Sequence, residues 1–122
     1  MHEFSLCQEL TQALLQEMAR LQPPPSRLLS ARVVVGALRQ IVPETLIFAY
    51  ETLTKNTPAS GSRLEIRPAP LRLACRACGR QQEIAHWVPA CPACGSPDLD
   101  LQGGMELYLD HLEVEVDDAP GN

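Results

Sequence analysis

Apolar residues fall at helical spacing near the start of the chain, where Cys7, Leu10, Leu14, Met18 and Leu21 step by three or four positions and form one stripe. Ser5, followed three residues later by Gln8, reads as a capping box, so the helix is expected to begin at Leu6. Pro23-Pro24-Pro25 then stops it. Arg27–Gly36 is rich in β-branched residues and has the length of a strand. Pro43 suits a first helical position with Glu44 beside it, and Leu46, Ala49, Tyr50 and Leu53 recur at helical spacing, with Asn56 as the expected C-terminal cap. After a loop of Thr, Pro, Ser and Gly, Leu64 and Ile66 alternate with Arg63, Glu65 and Arg67. Beyond Gly103-Gly104, Met105, Leu107 and Leu109 keep one phase while Leu112, Val114 and Val116 keep the other. A strand that changes phase must bulge or bend, here at Asp110–His111.

These elements imply an α+β fold: two helices on a three-stranded sheet, with a zinc-ribbon-like module of two CxxC knuckles inserted between the second and third strands. The expected strands are Arg27–Gly36, residues 63–67 and residues 105–116. The expected division gives residues 1–70 and 102–117 to the helix-and-sheet domain, 71–101 to the cysteine module, and 118–122 to a disordered tail.

Composition narrows the function. The 122 residues are 45% hydrophobic, enough for a core, but no run of about 18 apolar residues could span a bilayer. The opening residues carry two acids and no Lys or Arg, unlike a secretory or transit signal, so a cytoplasmic location is expected. Residues 1–74 hold eight Lys/Arg and six Asp/Glu, whereas residues 75–122 hold two and nine. An acidic second half repels phosphate backbones and argues against a nucleic-acid partner. No nucleophile–base pair and no phosphate-binding glycine loop is evident, so no enzyme is expected.

The five cysteines are an odd set for a disulfide framework. Four form Cys75-x-x-Cys78 and Cys91-x-x-Cys94, each pair followed at once by glycine. The sulfurs of one tight turn point into one pocket, and the glycine supplies the positive φ that lets backbone amides approach them. Two such turns face to face make a closed four-thiolate site suited to structural Zn(II), with Zn–S near ~2.3 Å. Four thiolates around a divalent ion leave a formal charge of about −2 by ionic charge counting; Arg76 and Arg80, the only cations in this half, are expected to offset it. Iron in the same thiolates would make an electron carrier, and the cysteines alone also fit an acidic zinc-ribbon module for protein or RNA binding. His86 reads as exposed and Cys7 as a small buried hydrophobe.

Met1-His2-Glu3 has metal chemistry of its own. The free amine and the His2 amide close a five-membered chelate ring, and the His2 imidazole closes a six-membered one. The Glu3 amide can add a further ring, a nitrogen set suited to square-planar Ni(II) or Cu(II).

Taken together, MHEFSLCQEL, VVVGALRQIVPETLIFAYE and CRACG…CPACGSPDLDLQGGMELYLDHLEVE resemble the HypA/HybF family, the nickel-delivery accessory proteins of nickel–iron hydrogenase maturation, over about residues 1–116. The resemblance implies a two-site metallochaperone, with nickel at Met1, His2 and Glu3 and zinc at Cys75, Cys78, Cys91 and Cys94. It implies the GTPase HypB as a partner and the hydrogenase large subunit as acceptor; some members also feed nickel to urease. Glycines, not histidines, follow both CxxC pairs here, which leaves His86 as the only nearby histidine.

Overall fold

In chain order the elements are α1 (His2–Arg20), β1 (Arg27–Gly36), a single 3-10 turn (Ala37–Arg39), α2 (Pro43–Leu53), β2 (Arg63–Ala69), β3 (Leu71–Cys75), β4 (Gln81–Ile84), β5 (Leu99–Gln102) and β6 (Leu107–Glu115). The computed structural model describes residues 2–116, His2 by its backbone alone; the expected tail and Met1 lie outside the described residues. The three expected strands form one sheet in the order β2-β1-β6. A second sheet, β4-β3-β5, is antiparallel throughout, with Leu73 opposite Gln82 on one side and Leu101 on the other.

The chain divides into two units. One comprises the described parts of Met1–Val33, Ile41–Ile66 and Tyr108–Asn122; the other comprises Val34–Gln40 and Arg67–Leu107. In the first, the α1 stripe delivers Cys7, Leu10, Leu14 and Met18 to the core, and α2 adds Leu46, Ala49 and Tyr50. Leu21 is 40% exposed, because the helix ends at Arg20. Polar side chains caught in this core are paired: the Tyr50 and Ser62 hydroxyls lie 2.6 Å apart, and Ser62 donates to the Ala59 carbonyl. Cys7 is fully buried, its thiol pushed up by desolvation, and so behaves as the expected small hydrophobe.

Two local expectations change and a third holds. Helix α1 starts at His2, not Leu6, so Ser5 is an exposed residue inside the helix rather than its cap. Helix α2 begins at Pro43 as expected but ends at Leu53 with Thr54, not Asn56, as its C-cap, the Thr54 N–H donating to the Tyr50 carbonyl; Asn56 takes the left-handed conformation (φ 63°) two residues later. Strand β6 runs without interruption, and its half-buried positions switch from odd to even across Asp110 and His111, which are both exposed. That is the phase change read from the sequence.

In the second unit, the end of β1 meets the segment before β6. Gly36 N–H donates to the Glu106 carbonyl (2.7 Å) and Leu38 N–H to the Gly104 carbonyl (2.8 Å). A Cβ on Gly36 would overlap the Gly104 carbonyl carbon and oxygen, which are backbone and cannot swing away. Gly36→Ala is therefore expected to cost about 1–3 kcal/mol, as overpacked sites do. A thermal melt checks it: Tm should fall by several degrees, and an unchanged Tm would show that this approach is looser than the geometry requires.

Candidate metal centre

The two CxxC segments fold into matching knuckles. Cys75 N–H donates to the Arg80 carbonyl and Gly79 N–H to the Cys75 carbonyl; Cys91 N–H donates to the Ser96 carbonyl and Gly95 N–H to the Cys91 carbonyl. Each turn closes through a glycine in the left-handed region, Gly79 at φ 77° and Gly95 at φ 80°. Neither glycine has anything within 4 Å of a would-be Cβ, so the backbone conformation, not space, selects glycine here.

Facing each other, the knuckles bring all four Sγ atoms within 4.8 Å of one another. The cross-knuckle pairs Cys75–Cys94 and Cys78–Cys91 are separated by 3.6 and 3.9 Å. These distances exclude disulfides, whose sulfurs lie about 2.05 Å apart. They agree with the edge of a tetrahedron whose centre is ~2.3 Å from each sulfur, about 3.8 Å. The donor set thus fits a tetrahedral, thiolate-preferring ion with no open coordination position.

Backbone amides tune the thiols. The Cys78 N–H, 3.5 Å from the Cys75 sulfur, is the main cause that lowers the Cys75 pKa. The Cys94 and Ala93 amides hold Cys91 down to about 7. At Cys94 the Ser96 amide favours the thiolate, but the neighbouring Cys75 thiol and burial outweigh it and push the group up to about 12. The first cysteine of each knuckle is buried, at 3% exposure, and the second is exposed.

The two arginines flanking the first pair differ in their partners. Arg76 is committed to Asp98, with Nη1 2.9 Å from its carboxylate, and approaches Asp100; the Arg76 N–H also donates to the Asp98 carbonyl. Arg76 thus ties the first knuckle to the chain following the second. Arg80 donates to the Gln82 side chain. His86 is exposed, as expected, and stands outside the sulfur cluster.

Of the residues singled out at the N-terminus, His2 and Glu3 open α1. The Glu3 carboxylate accepts the Val42 N–H at 3.1 Å, at the start of α2. Sequence reasoning missed this bond, since nothing local relates positions 3 and 42.

A four-cysteine ribbon and a helix-and-sheet unit in one chain define a metal-binding protein with a closed sulfur centre. Residues 1–114 match the family model described as "Hydrogenase/urease nickel incorporation, metallochaperone, hypA". The hydrogenase maturation factor HypA of Acidithiobacillus ferrooxidans is 39% identical over 117 residues, covering 94% of this chain and all of that one. HypA of Moorella thermoacetica is 35% identical over 115 residues with the same coverage. The chain belongs to the HypA family of nickel-incorporation metallochaperones. In fold it is similar to the solution structure of the Ni metallochaperone HypA from Helicobacter pylori, with TM-score 0.60, 23% identity, and coverage of 96% of this chain and 100% of that one. A second solution structure of a HypA protein gives TM-score 0.63 at 24% identity, covering 96% and 98%.

Proposed function

We propose that this chain carries Ni(II) on Met1, His2 and Glu3 and delivers it to the large subunit of a nickel–iron hydrogenase, working with the GTPase HypB, while Zn(II) held by Cys75, Cys78, Cys91 and Cys94 keeps the ribbon folded. Urease maturation is a second outlet open to the same carrier. Family membership supports nickel as the cargo. The sulfur tetrahedron, closed and matched to Zn–S lengths, supports a resident structural ion.

The observation that carries the nickel assignment is the position of His2 and Glu3 at the very start of α1. The first amides of a helix have no carbonyl to bond within it, so losing their protons to solvent as a metal takes their place breaks no helical hydrogen bond. A bare cation would oppose the positive end of the helix dipole, but deprotonated amides bring the negative charge that end favours. The closed sulfur site and the terminal nitrogens therefore divide the labour: one holds its ion, the other exchanges. Nickel titration of the unextended chain beside its His2→Ala variant tests the reading. One ion per chain should bind the first and be lost from the second, with zinc content equal in both; undiminished nickel binding by the variant would overturn it.

A further inference from the structure

Helix α2 turns Leu46, Ala49 and Tyr50 into the core and holds Phe48 in water. At 67%, Phe48 is the most exposed of the large apolar side chains among the described residues. One helical turn before it stands Glu44 and one turn after it Glu51, both exposed. The aromatic ring thus projects between two carboxylates. The surrounding unit is acidic as a whole: the chain segments that compose it carry five Lys/Arg against eleven Asp/Glu. The start of the same helix is bonded through Val42 N–H to Glu3, next to the proposed nickel ligands.

We propose that the Phe48 face of α2 is a docking surface for a protein that presents an apolar socket rimmed by Lys or Arg. The ring supplies a rigid anchor of the kind that protein interfaces favour at their centre, and the carboxylates select the charge of the rim. The same charges weigh against other occupants. In a two-fold contact between copies, the carboxylates flanking Phe48 would crowd against carboxylates of the same face, and a phosphate backbone would meet like charge. Because α2 starts beside Glu3, a partner seated on Phe48 lies within reach of the N-terminus, where a carrier must hand over its ion. The inference deepens the nickel-carrier reading, on which its choice of partner rests.

The experiment measures calorimetric binding of the untagged chain to the purified GTPase HypB encoded in the same genome, at low and at high ionic strength. The unmodified chain should bind, more weakly as salt rises. Phe48→Ala should weaken binding by at least about tenfold, as loss of an interface anchor does. A second variant combining Glu44→Gln with Glu51→Lys should also weaken it and flatten the salt dependence, while leaving the ring in place. Helical signal and nickel stoichiometry, measured on each variant, should match the unmodified chain, since none of these side chains lies in the core or at the metal sites. Undiminished affinity of Phe48→Ala overturns the proposal. So does failure of the unmodified chain to bind HypB, or a self-association in sedimentation that Phe48→Ala abolishes. Failure of the unmodified chain to bind nickel would instead overturn the carrier reading, and the docking measurement would stand by itself.

Discussion

Replacing Cys91 by serine, or stripping the sulfur site with a strong chelator, is expected to unfold the ribbon of residues 67–107 while the helical signal of α1 and α2 persists. The reason lies in what the ribbon has for a core. Its buried cluster is Leu73, Cys75 and Cys91, with Ile84, Val88, Leu99 and Leu101 partly covered against it, and Leu71 is the one further large apolar side chain buried in the ribbon among the described residues. Two of the cluster's three buried members are metal-site cysteines, and Trp87, the ribbon's only large aromatic, is 59% exposed. So little apolar burial cannot offset the entropy of ordering such a segment. A structural zinc site in a small module supplies on the order of 10 kcal/mol at neutral pH, comparable to a whole domain's margin. Limited proteolysis read by mass spectrometry is the check: cleavage should become confined to the ribbon once metal is removed. A metal-free chain that resists cleavage there would show that packing alone suffices.

Acid should act as a chelator does, and the sign follows from the thiols. Cys91 is held down to about 7 from an ordinary 9.0, and Cys75 is lowered too, by knuckle amides that favour the thiolate. A depressed thiol contributes its stabilisation above the ordinary value and loses it as pH falls through the lowered one. Below about pH 7 even Cys91, a thiol the knuckle amides hold as thiolate, takes a proton in competition with the ion, and metal retention there should weaken steeply.

Much of this centre was legible because its signal is local. A CxxC followed by glycine dictates its own turn, and two copies dictate a tetrahedron, whatever surrounds them. The helices and strand β2 were legible for a related reason, because burial of one face writes a period into the sequence; β1, buried on both faces, was legible instead from its β-branched run, and β6 from two alternating phases. Strand β4 (QQEI) carries no such period, since its side chains alternate only between exposed and half-buried positions. It exists because β3 needs a partner. The start of α1 was missed because Ser5–Gln8 has the local form of a cap, while the helix in fact continues back to His2 and is tied at Glu3 to a residue 39 positions away. Charge misled in another way. The nine acids of the second half suggested an acidic cysteine module, yet five of them lie in or after β6, in segments that belong with the helices. The segments of the ribbon unit itself hold five Lys/Arg and four Asp/Glu. Positions adjacent in the chain were simply assigned to different units by the return of β6 to β1.

Adding a short Gly-Ser extension ahead of Met1 is expected to abolish tight nickel binding as completely as His2→Ala, although it leaves every native side chain intact. The two changes attack different atoms. His2→Ala removes the imidazole, whereas the extension converts the terminal amine into an amide and breaks the first chelate ring at its origin. Loss of even an outer-shell partner costs metal sites about 10–100-fold, so loss of a ligand should exceed about a hundredfold. A side-chain-only site, for instance one using the Glu3 carboxylate, would tolerate the extension; that carboxylate already accepts the Val42 N–H. Binding should also fall on the order of tenfold per pH unit for each proton the ion displaces, because amides and imidazole must both be deprotonated to bind. Calorimetry across a pH series, on chains with and without the extension, separates the outcomes. Nickel held equally by both, with little pH dependence, would move the ion away from the N-terminal nitrogens. Retention of zinc throughout would show that the effect is local to them, since the sulfur site shares none of their ligands.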